Sequence, residues 1–223
     1  MGVDPSAPAI RLVAGLGNPE PRYASTRHNA GQRAVELLAS RLGAGRWVAR
    51  YGGRYAEARG PSGPVGLLIP TTYMNASGDA VGPAAGSLRA APAQVLVVHD
   101  EVDLSFGAVR GKAGGGAGGH NGLRSVIRGL GTGEFPRIRL GVGRPPEDFR
   151  GDGADWVLMR FTEPPEEVEA MVARGADMAE VALAEGIDAA VNRFHASPPG
   201  ARARARRERR DGAEGETSDE APE

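Results

Sequence analysis

Four histidines are available for acid–base work in this chain: His28, His99, His120 and His195. His28 lies in the polar run Thr26-Arg27-His28-Asn29-Ala30-Gly31, just ahead of a helical pattern. That position suits a capping or solvent-facing imidazole as well as a general base. Asp100 follows a short apolar run, Val95 to Val98, at the kind of strand end where α/β proteins collect functional groups. A buried carboxylate beside an imidazole fixes its tautomer and raises its basicity. Asn18, Asn29, Asn75 and Asn121 stand at turn positions. Their amides can cap turns or bind peptide groups, sugar hydroxyls or an oxyanion. The chain has no cysteine and no serine in a G-x-S-x-G setting, so water is the nucleophile this chemistry implies.

Other chemistries fit less well. Gly15-Leu16-Gly17 after a strand begins a dinucleotide fingerprint, but residue 20 is Glu20 rather than the third glycine, and Asn18-Pro19 opposes a smooth helix entry. The glycines around Gly114 to Gly119 precede no Lys-Ser or Lys-Thr and so form no P-loop. His28, His99, Asp100, Glu101, Asp103 and His120 could ligate a metal in principle, yet no spacing such as HExxH is present. The residues therefore point to a metal-free site with no cofactor.

The elements that must position these groups follow from periodicity. Ile10 to Leu16 reads as a buried strand, and Ala34, Leu37, Leu38 and Leu42 place a helix over about 30–42, stopped by Gly43. Two or three short strands fit between Trp47 and Ile69, and a weaker helix runs over 76–88. Val95 to Val98 is a central strand, with His99 to Asp103 just beyond its end. Gly111 to Gly122 reads as a loop, followed by a helix marked by Leu123, Val126, Ile127 and Leu130. Arg137 to Val142 alternates as a strand, and helices are expected over 168–183 and 187–194. Strands alternating with helices indicate an α/β domain.

At 223 residues the chain can bury one substantial core. No run approaches the roughly 18–20 apolar residues of a membrane helix, and no signal peptide is visible, so a cytoplasmic protein is expected. The net charge is −1, but its distribution is uneven. From Leu104 to Arg144 the bases are Arg110, Lys112, Arg124, Arg128, Arg137, Arg139 and Arg144, against the single acid Glu134. A local basic face on a neutral body suits a protein that grips a polyanion at one place, and scattered solvated arginines give the same count. Residues 197–223 are Arg-rich and then acidic, too polar to order themselves, and read as a disordered tail.

Taken together, five blocks resemble the bacterial-type peptidyl-tRNA hydrolase family. They are Gly15-Leu16-Gly17-Asn18-Pro19 with Tyr23 and Thr26 to Gly31; Pro70 to Gly78; Val97 to Leu104; Gly114 to Gly122; and Phe135 to Pro145. The resemblance spans about residues 9–195 and defines an expected catalytic domain over 9–196. It implies a single α/β domain, a mixed twisted β-sheet surrounded by helices, usually monomeric. The implied substrate is peptidyl-tRNA, held at its 3′ CCA end and acceptor stem. By the same resemblance His28 is the general base, Asp100 holds and polarises it, and Asn75 positions the water or carbonyl and steadies the oxyanion. Asn18 and Asn121 contact the peptide and the 3′-terminal nucleotide. Tyr23, Tyr73 and Met74 line the cleft, and Lys112 and Arg137 meet tRNA phosphates. Glu20 departs from the family pattern, as do Ser105-Phe106 and the tail. A non-catalytic RNA-binding protein on the same fold is the alternative reading.

Overall fold

The computed structural model describes residues 9–195, so the Arg-rich and acidic tail lies outside the described residues. The first apolar run forms β1 (Leu12–Gly15), with all its residues buried. A strand covered on both faces belongs in the middle of a sheet. β1 is flanked in parallel by β4 (Gly63–Pro70) and β5 (Val95–Glu101). Outward from β4, the antiparallel β3 (Gly53–Gly60) leads to the short, exposed edge strand β2 (Val48–Arg50). Outward from β5, the parallel β7 (Arg137–Gly141) is followed by the antiparallel β6 (Val109–Lys112). The seven strands lie in the order β2-β3-β4-β1-β5-β7-β6, one mixed sheet in an α/β fold.

Helices cover both faces because successive strand residues face opposite ways. In β5, Leu96 and Val98 join the core under α1 (Ala30–Arg41), α5 (Pro165–Glu185) and α6 (Ile187–His195). Val95 and Val97 face the other core, under α2 (Gly78–Ser87) and α3 (Asn121–Leu130). Each such side chain, fully buried, contributes roughly 1.5–3 kcal/mol.

Three features differ from the sequence reading. β5 runs on through His99 and Asp100 to Glu101, held by register with Arg139, Leu140 and Gly141 of β7. Gly111 and Lys112 belong to β6 rather than to the loop, because β7 offers them a pairing edge. A short helix, α4 (Gly153–Leu158), stands where the sequence pattern marks no element; Asp152 caps it through bonds to the Ala154 and Asp155 amides, in a reciprocal capping box.

One close approach sets the site. A Cβ on Gly31 would overlap the carbonyl of Val98, so only glycine lets the start of α1 rest on the β5 backbone. His28 lies three residues before that contact and Asp100 two residues after it. The glycine thereby brings two residues 72 apart in sequence into reach of each other.

Candidate active site

His28 sits in a 3-10 turn, Arg27–Asn29, that leads into α1, and it is 8% exposed. Its Nδ1 lies 2.9 Å and 3.0 Å from the two carboxylate oxygens of Asp100. A carboxylate only accepts, so Nδ1–H donates and Nε2 carries the free lone pair. Asp100 is buried and takes a further bond from Nε2 of His120 at 3.0 Å.

His120 is fixed from its other side. Its Nδ1 accepts the backbone N–H groups of Gly122 (3.1 Å) and Leu123 (3.3 Å), capping α3. With Nδ1 accepting, the ring proton is on Nε2 and points at Asp100. His28, Asp100 and His120 do bring potential metal-ligating atoms within 4.8 Å of one another. Ligation through His120 Nε2 would strip its proton while Nδ1 still faces two N–H groups, which demands an imidazolate or a lost helix cap. The donor set therefore fits a hydrogen-bonded carboxylate better than a cation.

The electrostatics follow. Burial alone would raise the Asp100 carboxyl, but the charges and hydrogen bonds of His28 and His120 outweigh it and hold the group well below the usual carboxylate range. Burial alone would lower His28; the Asp100 charge and hydrogen bond reverse this and leave it above the ordinary 6.5. His99 is fully buried, which pushes it down to about 3, and its Nδ1 bonds the Asp100 carbonyl at 2.6 Å. It is a neutral support edge-on to His120, with ring centroids 5.0 Å apart. His28 thus lines the cleft with Nδ1 committed to Asp100 and Nε2 free of a partner among the described residues.

The cleft has a volume of about 330 Å³ and is lined by Asn18, Tyr23, His28, Tyr73, Met74, Asn75 and Asn121. Ala154, Val157 and Leu158 of α4 add an apolar wall to that lining. Asn18 is locked in place. Its backbone exchanges two 2.9 Å bonds with the Asn29 amide, and its Oδ1 accepts the Met74 N–H at 2.9 Å. That leaves the Asn18 Nδ2 without a partner among the described residues. Asn75 is exposed on a turn, Met74–Ala76, that precedes α2. Asn121 opens α3 and its Oδ1 accepts from Arg124 at 2.6 Å. Glu20 lies at the rim, accepting from the Tyr73 hydroxyl and paired with Arg22 at 2.6 Å.

Seven of the residues singled out in the sequence meet at the cleft, and Asp100 lies behind His28. Lys112 is exposed, with its ammonium beside Gly115 of the glycine-rich loop. Arg137 has a different place. It is 2% exposed, and its guanidinium donates to the carbonyls of Gly116 (2.6 Å), Gly133 (3.1 Å) and Gly115. Two of those bonds hold the glycine-rich loop and the third the turn before β7, so the buried side chain braces both segments and its donors are spent on carbonyl oxygens. His120 stands in the sequence only among the available histidines and possible metal ligands, not as a helix cap bonded to Asp100, and nothing there assigns the α4 wall a role. The Asp152/Asp155 spacing before Trp156-Val157 was the available signal for α4.

Comparison with known proteins agrees with this geometry. A family described as Peptidyl-tRNA hydrolase matches residues 12–203. A peptidyl-tRNA hydrolase of Mycolicibacterium vanbaalenii is 48% identical over 187 residues, covering 83% of this chain and 96% of the relative. One of Mycobacterium tuberculosis is 48% identical over 189 residues, covering 83% and 97%. The crystal structure of peptidyl-tRNA hydrolase from Acinetobacter baumannii superposes with a TM-score of 0.75 at 35% identity, covering 84% of this chain and 95% of that one. With its fold, its His–Asp pair and its asparagine-lined cleft accounted for, the chain belongs to the peptidyl-tRNA hydrolase family.

Proposed function

We propose that this chain hydrolyses the ester between a peptide, or an N-blocked aminoacyl group, and the 3′-terminal ribose of tRNA, with His28 Nε2 as general base. The observation that carries the reading is the His28–Asp100 pair, which leaves one lone pair free at the cleft. Nε2 takes a proton from water, and the oxygen attacks the ester carbonyl carbon. The resulting oxyanion is steadied by the Asn75 amide. The tetrahedral intermediate then collapses, the ribose oxygen leaves, and it recovers the proton from the imidazolium. Asp100 stays ionised throughout and stabilises the charge on His28.

Asn18 supplies the discrimination. Its free Nδ2 donates to the peptide carbonyl that a blocked substrate has and a free aminoacyl group lacks. Asn121 and the aromatic faces of Tyr23 and Tyr73 hold the terminal nucleotide and peptide. The exposed cations Lys112, beside the glycine-rich loop, Arg124, bonded to Asn121, and Arg128, bonded to the Asn75 carbonyl, meet phosphates of the CCA end and acceptor stem. The protein acts as a cytoplasmic monomer that recycles peptidyl-tRNA; among the described residues no helix is long and apolar enough to cross a membrane. A purely RNA-binding role would make no use of a polarised imidazole with a free lone pair.

The test uses N-acetyl-aminoacyl-tRNA with chelator present. His28→Ala is expected to lose about 10²–10⁴ in kcat while tRNA affinity stays near that of wild type. Equal turnover by the two proteins would remove His28 from the chemistry. Activity lost with chelator and restored by a divalent ion would replace the mechanism altogether.

A further inference from the structure

The residue before the general base is a fully buried arginine, 0% exposed. The Arg27 guanidinium stacks 3.8 Å from the Trp156 ring centroid and 5.2 Å from that of Phe161. It pairs with Glu163 at 3.0 Å, reaches the Thr162 hydroxyl at 3.3 Å and donates to the Arg160 carbonyl. The backbone repeats the connection: Arg27 N–H donates to the Met159 carbonyl at 3.0 Å, and Thr26 bridges to Arg160. All these partners lie between Trp156 and Glu163, the end of α4 and the chain that follows it. α4 supplies the apolar wall of the cleft through Ala154, Val157 and Leu158. Trp156 is anchored from behind by its Nε1–H on the Gly143 carbonyl at 2.8 Å.

One side chain therefore ties the substrate-facing wall to the turn that carries His28. The task suits arginine: a planar fork serves several acceptors in its plane while its faces stack on rings, which a lysine ammonium cannot do. We propose that Arg27 is a positioning residue for hydrolysis, which holds the α4 wall at the distance from His28 that substrate binding requires. The proposal rests on the hydrolase reading above. It predicts an effect on KM, because His28 is held separately by Asp100.

The experiment compares wild type, Arg27→Lys, Glu163→Gln and the double variant in hydrolysis of N-acetyl-aminoacyl-tRNA. Amide hydrogen exchange over residues 153–163 is followed on the same samples. Arg27→Lys should raise KM on the order of tenfold. It should leave kcat within about twofold and the acid limb of the pH–rate profile in place, with faster exchange confined to that segment. Glu163→Gln should do the same more weakly, and the double variant should be little worse than Arg27→Lys alone. An unchanged KM overturns the proposal, whatever the exchange shows. So does a fall in kcat with a displaced acid limb, which would place the effect on His28 itself. Should Arg27→Lys fail to fold, Glu163→Gln decides by the same criteria. If wild type itself does not hydrolyse the substrate, the hydrolase reading fails, while unchanged exchange in the variants would separately refute the tether.

Discussion

At the scale of single residues, the site is a carboxylate with two imidazole donors whose roles differ. His28 gives Asp100 its Nδ1–H and keeps Nε2 for the cleft; His120 gives its Nε2–H and spends Nδ1 on a helix end. The consequence is a definite pH dependence. Because the folded protein raises His28 above 6.5, the base form is lost as pH falls through that raised value. The acid limb of kcat/KM should thus report a pKa above the ordinary histidine value. Asp100→Asn removes the charge that raises it, so the limb should move to lower pH. The plateau should fall by roughly 10²–10⁴, since the amide no longer enforces the tautomer. A limb that stays in place in that variant would assign the titration to another group.

Part of this was legible in the residues. His28, Asp100 and the asparagines stand out by their types and turn positions, and the fold brings Asn18, Asn75 and Asn121 to one cleft with His28, backed by Asp100. Arg137 is expected at the phosphates but is buried on carbonyl oxygens, because an arginine in a basic stretch looks the same in either setting and only the folded backbone around it decides. His120 carried no signal as a cap, since the usual capping side chains are Ser, Thr, Asp and Asn.

At the scale of elements, α1 and α3 each deliver one histidine to β5. The delivery by α1 depends on Gly31. Gly31→Ala would place a methyl group against a backbone carbonyl that cannot rotate away, so α1 must move off the sheet. The variant should lose about 1–3 kcal/mol of stability in denaturant titration and much of its turnover, since the His28–Asp100 bond spans the same gap. α3 allows a cleaner separation of roles. His120→Ala should cost about 1 kcal/mol of stability for the lost cap. His120→Asn should restore that stability, because an Asn oxygen caps well, but not activity, because its shorter amide does not carry a donor as far as Nε2 reaches to Asp100. Full activity in His120→Asn would reduce His120 to a cap.

The extents of elements were harder to read than their existence. β5 looks as if it ends at Val98 because polar residues follow, yet β7 pairs it through Glu101. The register with a neighbour, which sequence does not display, makes the polar end a strand and aims Asp100 at His28. β6 has only four residues, and α4 only six, too few for a period to emerge.

At the scale of the whole molecule, a chain of net charge −1 must bind a polyanion through a local field. Lys112, Arg124 and Arg128 are exposed near the glycine-rich loop and α3. Replacing any of them with alanine should reduce the slope of log KM against log salt by about 1, as one phosphate contact is removed. Arg137→Ala should leave that slope unchanged and lower the melting temperature instead, because its guanidinium holds three loop carbonyls. A reduced slope in Arg137→Ala would return that residue to the phosphate surface.

The most direct test of the central claim is hydrolysis of N-acetyl-aminoacyl-tRNA beside free aminoacyl-tRNA, by wild type and His28→Ala of equal melting temperature. Cleavage of the blocked substrate alone, by wild type alone, is the result expected if His28 is the base and the asparagine-lined cleft reads the blocked end. Cleavage of the blocked substrate at the wild-type rate by folded His28→Ala would contradict it.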